Sequence, residues 1–277
     1  MVSALLLIAL PLAAAFLLGL ISNRHIAYAL TLAAMAAGAA VSGWWVWQLG
    51  WAGAVPVDIL TAGTAPPFAI NLRMGLAESV LALTITLTGL LAAIYLKDTL
   101  LAIGQRAMAV VMIAVMAYCG IVLTRHLFNL FVFFELAAIA TAGLILLSDD
   151  ALALGAGFKY LVVSQIISAL LLVGIIFAYH GTGNLNIDGM AAVTMGRVGG
   201  SLAIAFFLIF IAIVAELKPF PANGWALDIY ESAHPAFSAL FSAAAGTATL
   251  YAADKLLAIG GPGFLPKSTG IGILGFP

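Results

Sequence analysis

The sequence predicts an all-α polytopic membrane protein of about eight transmembrane helices. Three observations carry this. Of 277 residues, 65% are hydrophobic and 8% charged, with mean hydropathy +1.20. A soluble globular chain is about half apolar and a quarter charged. Apolar runs of roughly twenty residues, the length that crosses a bilayer, recur along the whole chain. Glycine, proline and charged clusters fall mostly between those runs, where they act as punctuation.

The first run, 2–21, has no basic region before it, and further spans follow. It reads as a retained span rather than a cleaved signal peptide. It stops at Ser22-Asn23-Arg24-His25. The second, 26–49, has Trp44, Trp45, Trp47 and Trp51 near its end, as at a membrane–water interface. An irregular loop over 53–70 holds Pro56, Pro66 and Pro67. Further spans are expected at 76–95, 107–123 and 127–147. Asp149-Asp150 ends the last of these and can cap the next, 151–179. Gly181-Thr182-Gly183-Asn184 marks a turn. The seventh and eighth spans are expected at 201–217 and 235–253, the eighth stopping at Asp254-Lys255. After Gly260-Gly261-Pro262-Gly263, the stretch Ile271–Pro277 resembles the opening of a further span. Basic residues in alternate loops, Arg24, Lys97 and Arg106 against Arg73, Arg125 and Arg197, divide evenly and set no orientation.

Several functions are excluded. A net charge of −1 gives no basic face for nucleic acid. The single cysteine, Cys119, allows neither an intrachain disulfide nor a multi-cysteine metal cluster, and it reads as packing. No phosphate-binding glycine loop, haem motif or nucleophile triad is present. No catalytic residue, metal or cofactor is expected in this chain.

The informative residues are charges inside or near apolar spans. Glu135 sits mid-run in Leu127–Leu136, where an ionised carboxylate costs several kcal/mol unless protonated, paired or hydrated. Such residues mark ion paths, or are satisfied by a basic neighbour. Glu78, at the start of the third span, is most simply interfacial. Lys159, about two turns into the sixth span, either snorkels to the near interface or joins a path. The seventh span ends in Glu216-Leu217-Lys218-Pro219-Phe220-Pro221, and two prolines cannot continue a regular helix. Broken helices in membranes line buried or hydrated cavities. Glu216 and Lys218 are two apart and do not share a helix face, so they pair across the break or point to different partners. Asp228 and Glu231 share a face if helical, as interfacial caps or as part of a path. His126 and His234 sit at span edges, where capping competes with proton entry.

Three stretches carry a resemblance. Leu127–Glu135 is similar to an N-L-x-F-F/W-E segment; Phe158-Lys159-Tyr160-Leu161 with Gly181-Thr182-Gly183-Asn184-Leu185 to a Lys-Tyr…Tyr-Gly-Thr-Gly helix; Phe220-Pro221, Trp225–Ala233 and Ser238-Ala239-Leu240 to F-P-x-H-x-W-L-P-D-A-Y-E-G-A…S-A-L. Over roughly 125–255 the chain resembles the antiporter-like membrane subunits shared by respiratory complex I, Mrp-type cation/proton antiporters and membrane-bound hydrogenases.

The resemblance implies three leading helices over 1–100 with an irregular loop at about 51–75. It implies a five-helix antiporter-like repeat over 101–258 with a broken seventh helix, and a tail or incomplete further helix over 259–277. It makes Glu135 the fifth-helix glutamate that modulates a nearby seventh-helix lysine. Three departures stand out. Anchored on Phe220-Pro221, that lysine position holds Glu216, and Lys218 lies two residues on, about 200° around a regular helix. The eighth-helix lysine or histidine falls near the uncharged Gly246-Thr247, and the histidine after the break is replaced within Ala222-Asn223.

The implied function is proton (or Na⁺) translocation within a multi-subunit respiratory complex. The path would use Glu135, Lys159, Glu216 and Lys218, with His126, Asp228, Glu231 and His234 as accessories. Redox cofactors (Fe–S, flavin or NiFe) would lie in partner subunits. The partners would be other membrane subunits and a peripheral redox arm, in a prokaryotic cytoplasmic membrane. The alternative is a degenerate structural subunit that anchors its partners without pumping; a stand-alone secondary transporter is a third reading.

Overall fold

The computed structural model describes residues 3–61, 69–147, 151–194, 200–221 and 223–259. The expectations for Pro66-Pro67, Asp149-Asp150, Arg197, Ala222 and the tail from Gly260 lie outside these residues.

The chain runs α1 (Leu6–Leu18), α2 (Arg24–Gly50), β1 (Val57–Leu60), β2 (Asn71–Met74), α3 (Leu76–Tyr95), α4 (Lys97–Ile103), α5 (Gln105–Leu123), α6 (Leu127–Ile145), α7 (Ala151–Thr182), α8 (Ile187–Thr194), α9 (Ser201–Glu216), α10 (Gly224–Ser232), α11 (Pro235–Leu240), a π turn (Phe241–Ala245) and α12 (Gly246–Ile259). Each of the eight expected spans falls on a helix. Six of these helices are long and apolar enough to cross a membrane, α11 to α12 counting as one. The other two, α1 with 13 residues and α9 with 16, are shorter. At 1.5 Å per residue they reach roughly 20–24 Å, less than a ~30 Å hydrocarbon layer.

The loop over 53–70 is not wholly irregular. Val57–Leu60 alternates half-buried and exposed positions and pairs antiparallel with Asn71–Met74, Val57 opposite Met74. That alternation is the strand period, which the prolines in the loop mask in the sequence. Leu72 also bridges to Thr124, tying the hairpin to the end of α5.

The bundle centres on α5, which is buried along nearly its whole length and packs on α1, α3 and α6. Close helix approach depends on glycine. A Cβ at Gly120 would collide with the Phe133 ring of α6, and one at Gly174 of α7 would lie 2.7 Å from Ile209 Cγ1 of α9. Large apolar side chains cover the outside, Phe16 being 73% and Phe207 62% exposed, the inverse of a soluble surface.

The loop charges gather at two ends, as their spacing implies. At one, Arg24 donates to the carbonyls of Leu101 and Ala102 at the end of α4. At the other, Arg73 pairs with Asp58 at 2.9 Å and Asp188 at 3.1 Å, and Arg125 pairs with Asp188 at 2.6 Å. The Asp58 carboxylate holds the Arg73 guanidinium above its ordinary pKa, against the opposing effect of burial.

Candidate ion site at the helix break

α9 stops at Glu216 because the chain turns, not only because prolines follow. Leu217 caps the helix and Lys218 adopts a left-handed backbone with φ 55°. Such a conformation is uncommon for a side chain like lysine and costs of order 1–3 kcal/mol. Pro219 and Pro221 then supply no backbone N–H to continue the ladder. The turn folds Lys218 back, so its Nζ donates to the Glu216 carbonyl at 3.0 Å and sits 3.4 Å from Glu216 Oε1. The 200° displacement expected on a regular helix does not apply, because the helix has ended between the two residues.

Both side chains are mostly enclosed, Glu216 14% and Lys218 19% exposed. The Lys218 ammonium also lies over the Trp225 ring of α10, 5.5 Å from its centroid. The pair sits where three cavities meet. The largest of these, about 180 Å³, is lined by Glu216, Lys218, Asn223, Tyr230 and Thr249. A second, about 20 Å³, reaches from Lys218 to Tyr118, Thr141 and Tyr160. A third, about 10 Å³, connects Glu216 with Ser164, Ser168 and Phe134. The π turn contributes Phe241 to the first two. A larger cavity of about 220 Å³ between α9 and α12 is lined by apolar side chains such as Phe206, Ile213 and Leu250, so it offers no group that binds a proton.

Glu135 and Lys159 are held by partners outside this pair. Glu135 lies about 12 Å along α6 and accepts a hydrogen bond from Gln165 of α7 at 2.9 Å, on an outward-facing side. Lys159, with 64% of its side chain exposed, pairs with Asp228 of α10 at 2.9 Å. Glu231 is exposed one turn further along α10. His126 and His234 are N-caps: their Nδ1 atoms accept the backbone N–H of Asn129 and Ala236, each at 3.4 Å. Burial lowers the pKa of His126, favouring the neutral ring that this cap requires.

Two buried charges stand differently from their sequence expectation. Glu78, in the first turn of α3, is 4% exposed instead of facing solvent; Oε2 accepts the Gly75 N–H at 3.1 Å and Oε1 the Tyr251 hydroxyl at 2.5 Å. The phenol on α12 takes the place that water would hold at an interface. Lys255, expected only as a helix stop, is 3% exposed and donates to the carbonyls of Ile121, Val122 and Thr124 at 2.7, 3.0 and 2.9 Å. Gln165, Tyr118, Thr141 and Tyr160 carry no charge and so give no signal in the sequence, apart from Tyr160 standing beside Lys159. Among the described residues, no group of three or more His, Cys, Asp or Glu could hold a metal ion.

Residues 124–259 match the family described as NADH:quinone oxidoreductase/Mrp antiporter, TM. One subunit of the Na(+)/H(+) antiporter of Bacillus subtilis is 31% identical over 201 residues, covering 71% of this chain and 41% of that protein. NADH-quinone oxidoreductase subunit N of Acidithiobacillus ferrooxidans is 31% identical over 140 residues, covering 50% of this chain and 29% of that protein. A chain of the archaeal membrane-bound sulfane sulfur reductase superposes with TM-score 0.84 at 28% identity, over 92% of this chain and 53% of that one. A chain of the Mrp complex from Dietzia sp. DQ12-45-1b gives 0.84 at 23% identity, covering 93% and 49% of the two chains. One from respiratory complex I of Thermus thermophilus gives 0.71 at 19%, covering 91% and 53%; these last two show likeness of fold. The chain thus spans less than half of these curated relatives and about half of these solved chains. With the broken helix and its enclosed ion pair lying inside the matched segment, the chain belongs to the antiporter-like membrane subunits of the NADH:quinone oxidoreductase/Mrp antiporter family.

Proposed function

We propose that this chain is a proton- or sodium-translocating subunit of a multi-subunit membrane complex, with 101–258 as the repeat that carries the path. The observation that carries the reading is the Glu216–Lys218 pair. It is a carboxylate and an ammonium, both mostly enclosed, at the end of a broken helix and open to a cavity of about 180 Å³. That volume admits several waters. Opposite charges at this distance attract, so neutralising one group releases the other.

Glu135 and Lys159 then serve as flanking stations, each held by its own partner, Gln165 and Asp228. The gap lined by Ser164, Ser168 and Phe134 lies between the neighbourhood of Glu135 and Glu216. The relatives' names, an Na(+)/H(+) antiporter and an NADH-quinone oxidoreductase, support ion movement in company with other subunits. Other membrane subunits are the partners, and any Fe–S, flavin or NiFe chemistry belongs to a peripheral arm.

The test is proton uptake driven by a potassium diffusion potential, followed by an entrapped pH dye, in liposomes holding the complex purified through a tag on this subunit. Glu216→Gln and Glu135→Gln are expected to lower the flux at least about tenfold while the complex assembles normally. Wild-type flux in Glu216→Gln would reject the reading and leave an anchoring role.

A further inference from the structure

The Lys218 ammonium has three N–H donors. Two point at Glu216. The same side chain also lines the cavity of about 20 Å³ reached by Tyr118, Thr141 and Tyr160. Tyr118 of α5 and Tyr160 of α7 are 2% and 4% exposed, and Thr141 of α6 is 2% exposed. Tyr118 Oη and Thr141 Oγ1 are 2.7 Å apart, and either can be the donor. A cavity of this size holds about one water, provided two to four polar partners are available to it. Here the Lys218 side chain and four hydroxyl-bearing residues, Tyr230 being the fourth, border it. The Trp225 ring, which carries Lys218 on one side, packs on Tyr160 with centroids 5.6 Å apart.

We infer that the Tyr118, Thr141 and Tyr160 hydroxyls, with one bound water, form a second, neutral acceptor site for the Lys218 ammonium, apart from Glu216. The inference rests on the proposed ion path and names positioning residues for it. Two observations converge. Lys218 borders both the hydroxyl cavity and the larger charged one, so a short rotation of its flexible stem moves the ammonium between them. The left-handed backbone at Lys218 is what aims its side chain back into the bundle rather than along the helix.

The titratable groups facing the ammonium are Glu216 on α9, Tyr118 on α5, Tyr160 on α7 and Tyr230 on α10. Lys159 and Asp228, nearby on α7 and α10, are paired with each other. An ionised Glu216 holds the ammonium by charge. When Glu216 takes up a proton that attraction goes, and the hydroxyl pair can reverse its donor direction to receive the ammonium at no cost in charge. The hydroxyls therefore allow Glu216 to load and unload without leaving a buried ammonium unsolvated.

The test uses the complete complex in the same diffusion-potential assay. Thr141→Val keeps the side-chain shape but removes the hydroxyl; Thr141→Ser keeps the hydroxyl. Thr141→Val and Tyr118→Phe are expected to lower proton flux about tenfold with assembly intact, and Thr141→Ser to retain it. In a cryo-EM map of the Glu216→Gln complex, Lys218 Nζ is expected within hydrogen-bond distance of the cavity hydroxyls or their water. Wild-type flux in Thr141→Val, with flux abolished in Glu216→Gln, would overturn the second acceptor site alone. Undiminished flux in Glu216→Gln would remove the underlying reading with it. Should Thr141→Val fail to assemble, the Lys218 position in the Glu216→Gln map decides, and an ammonium that stays beside residue 216 overturns the inference.

Discussion

Replacing Lys255 by methionine tests how the last described helix is held. The carbonyls of Ile121 and Val122 belong to the final turn of α5, where no later N–H of the helix can reach them, and Thr124 follows directly. Lys255 Nζ meets all three within 3.0 Å, saturating the ammonium at the negative end of the helix. Hydrogen bonds within membrane proteins contribute about 0.6 kcal/mol on average and up to about 1.7, so three set the loss at roughly 2–5 kcal/mol. Methionine matches the length of the stem, which keeps the packing term small. Thermal inactivation of the tagged complex in detergent, read by fluorescence size exclusion, should show a lower midpoint for Lys255→Met. Lys255→Arg should fall between, since a guanidinium keeps the charge but not the geometry. If Lys255→Met matches wild type, the cost of desolvating the ammonium cancels its hydrogen bonds, and the three-carbonyl crown does not stabilise the fold.

Gly120→Ala should destabilise by about 1–3 kcal/mol in the same assay, because the added methyl meets the Phe133 ring; Phe133→Leu in the same chain should recover part of it. His126 gives a pH dependence. Burial lowers its pKa in the fold below the ordinary 6.5, so the unfolded chain binds the proton first as pH drops. Its contribution is complete above about 6.5 and is lost as pH falls from there towards the lowered folded value. The thermal midpoint of wild type should therefore fall more steeply between pH 7 and 5 than that of His126→Asn, which caps without titrating; equal slopes would refute the assignment.

The spans were legible because a bilayer demands long apolar runs, and those runs are local in sequence. The break after Glu216 was legible from Pro219 and Pro221. What the break does to Lys218 was not: helical spacing stops having meaning at a residue with φ 55°, and nothing in the residue name announces it. Glu78 and Lys255 read as span edges because their partners, Tyr251 and the carbonyls of α5, are more than a hundred residues away. Sequence can show that a charge is expensive, but the group that satisfies it is a matter of tertiary contact. Gln165 illustrates the same limit from the other side: a neutral amide draws no notice until it is found on Glu135.

Tyr251 and Lys255 lie four residues apart on α12, one fixed to the start of α3 through Glu78, the other to the end of α5. That end of the rod is clamped. Its opposite end runs into the π turn, Phe241–Ala245, an interruption of the regular ladder of the kind at which helices kink. A rod gripped at one end bends where its ladder is interrupted, and here that section forms a wall of the cavities around Lys218. Any rearrangement transmitted along this helix from a neighbouring subunit would therefore be spent beside the ion pair rather than dissipated through α12.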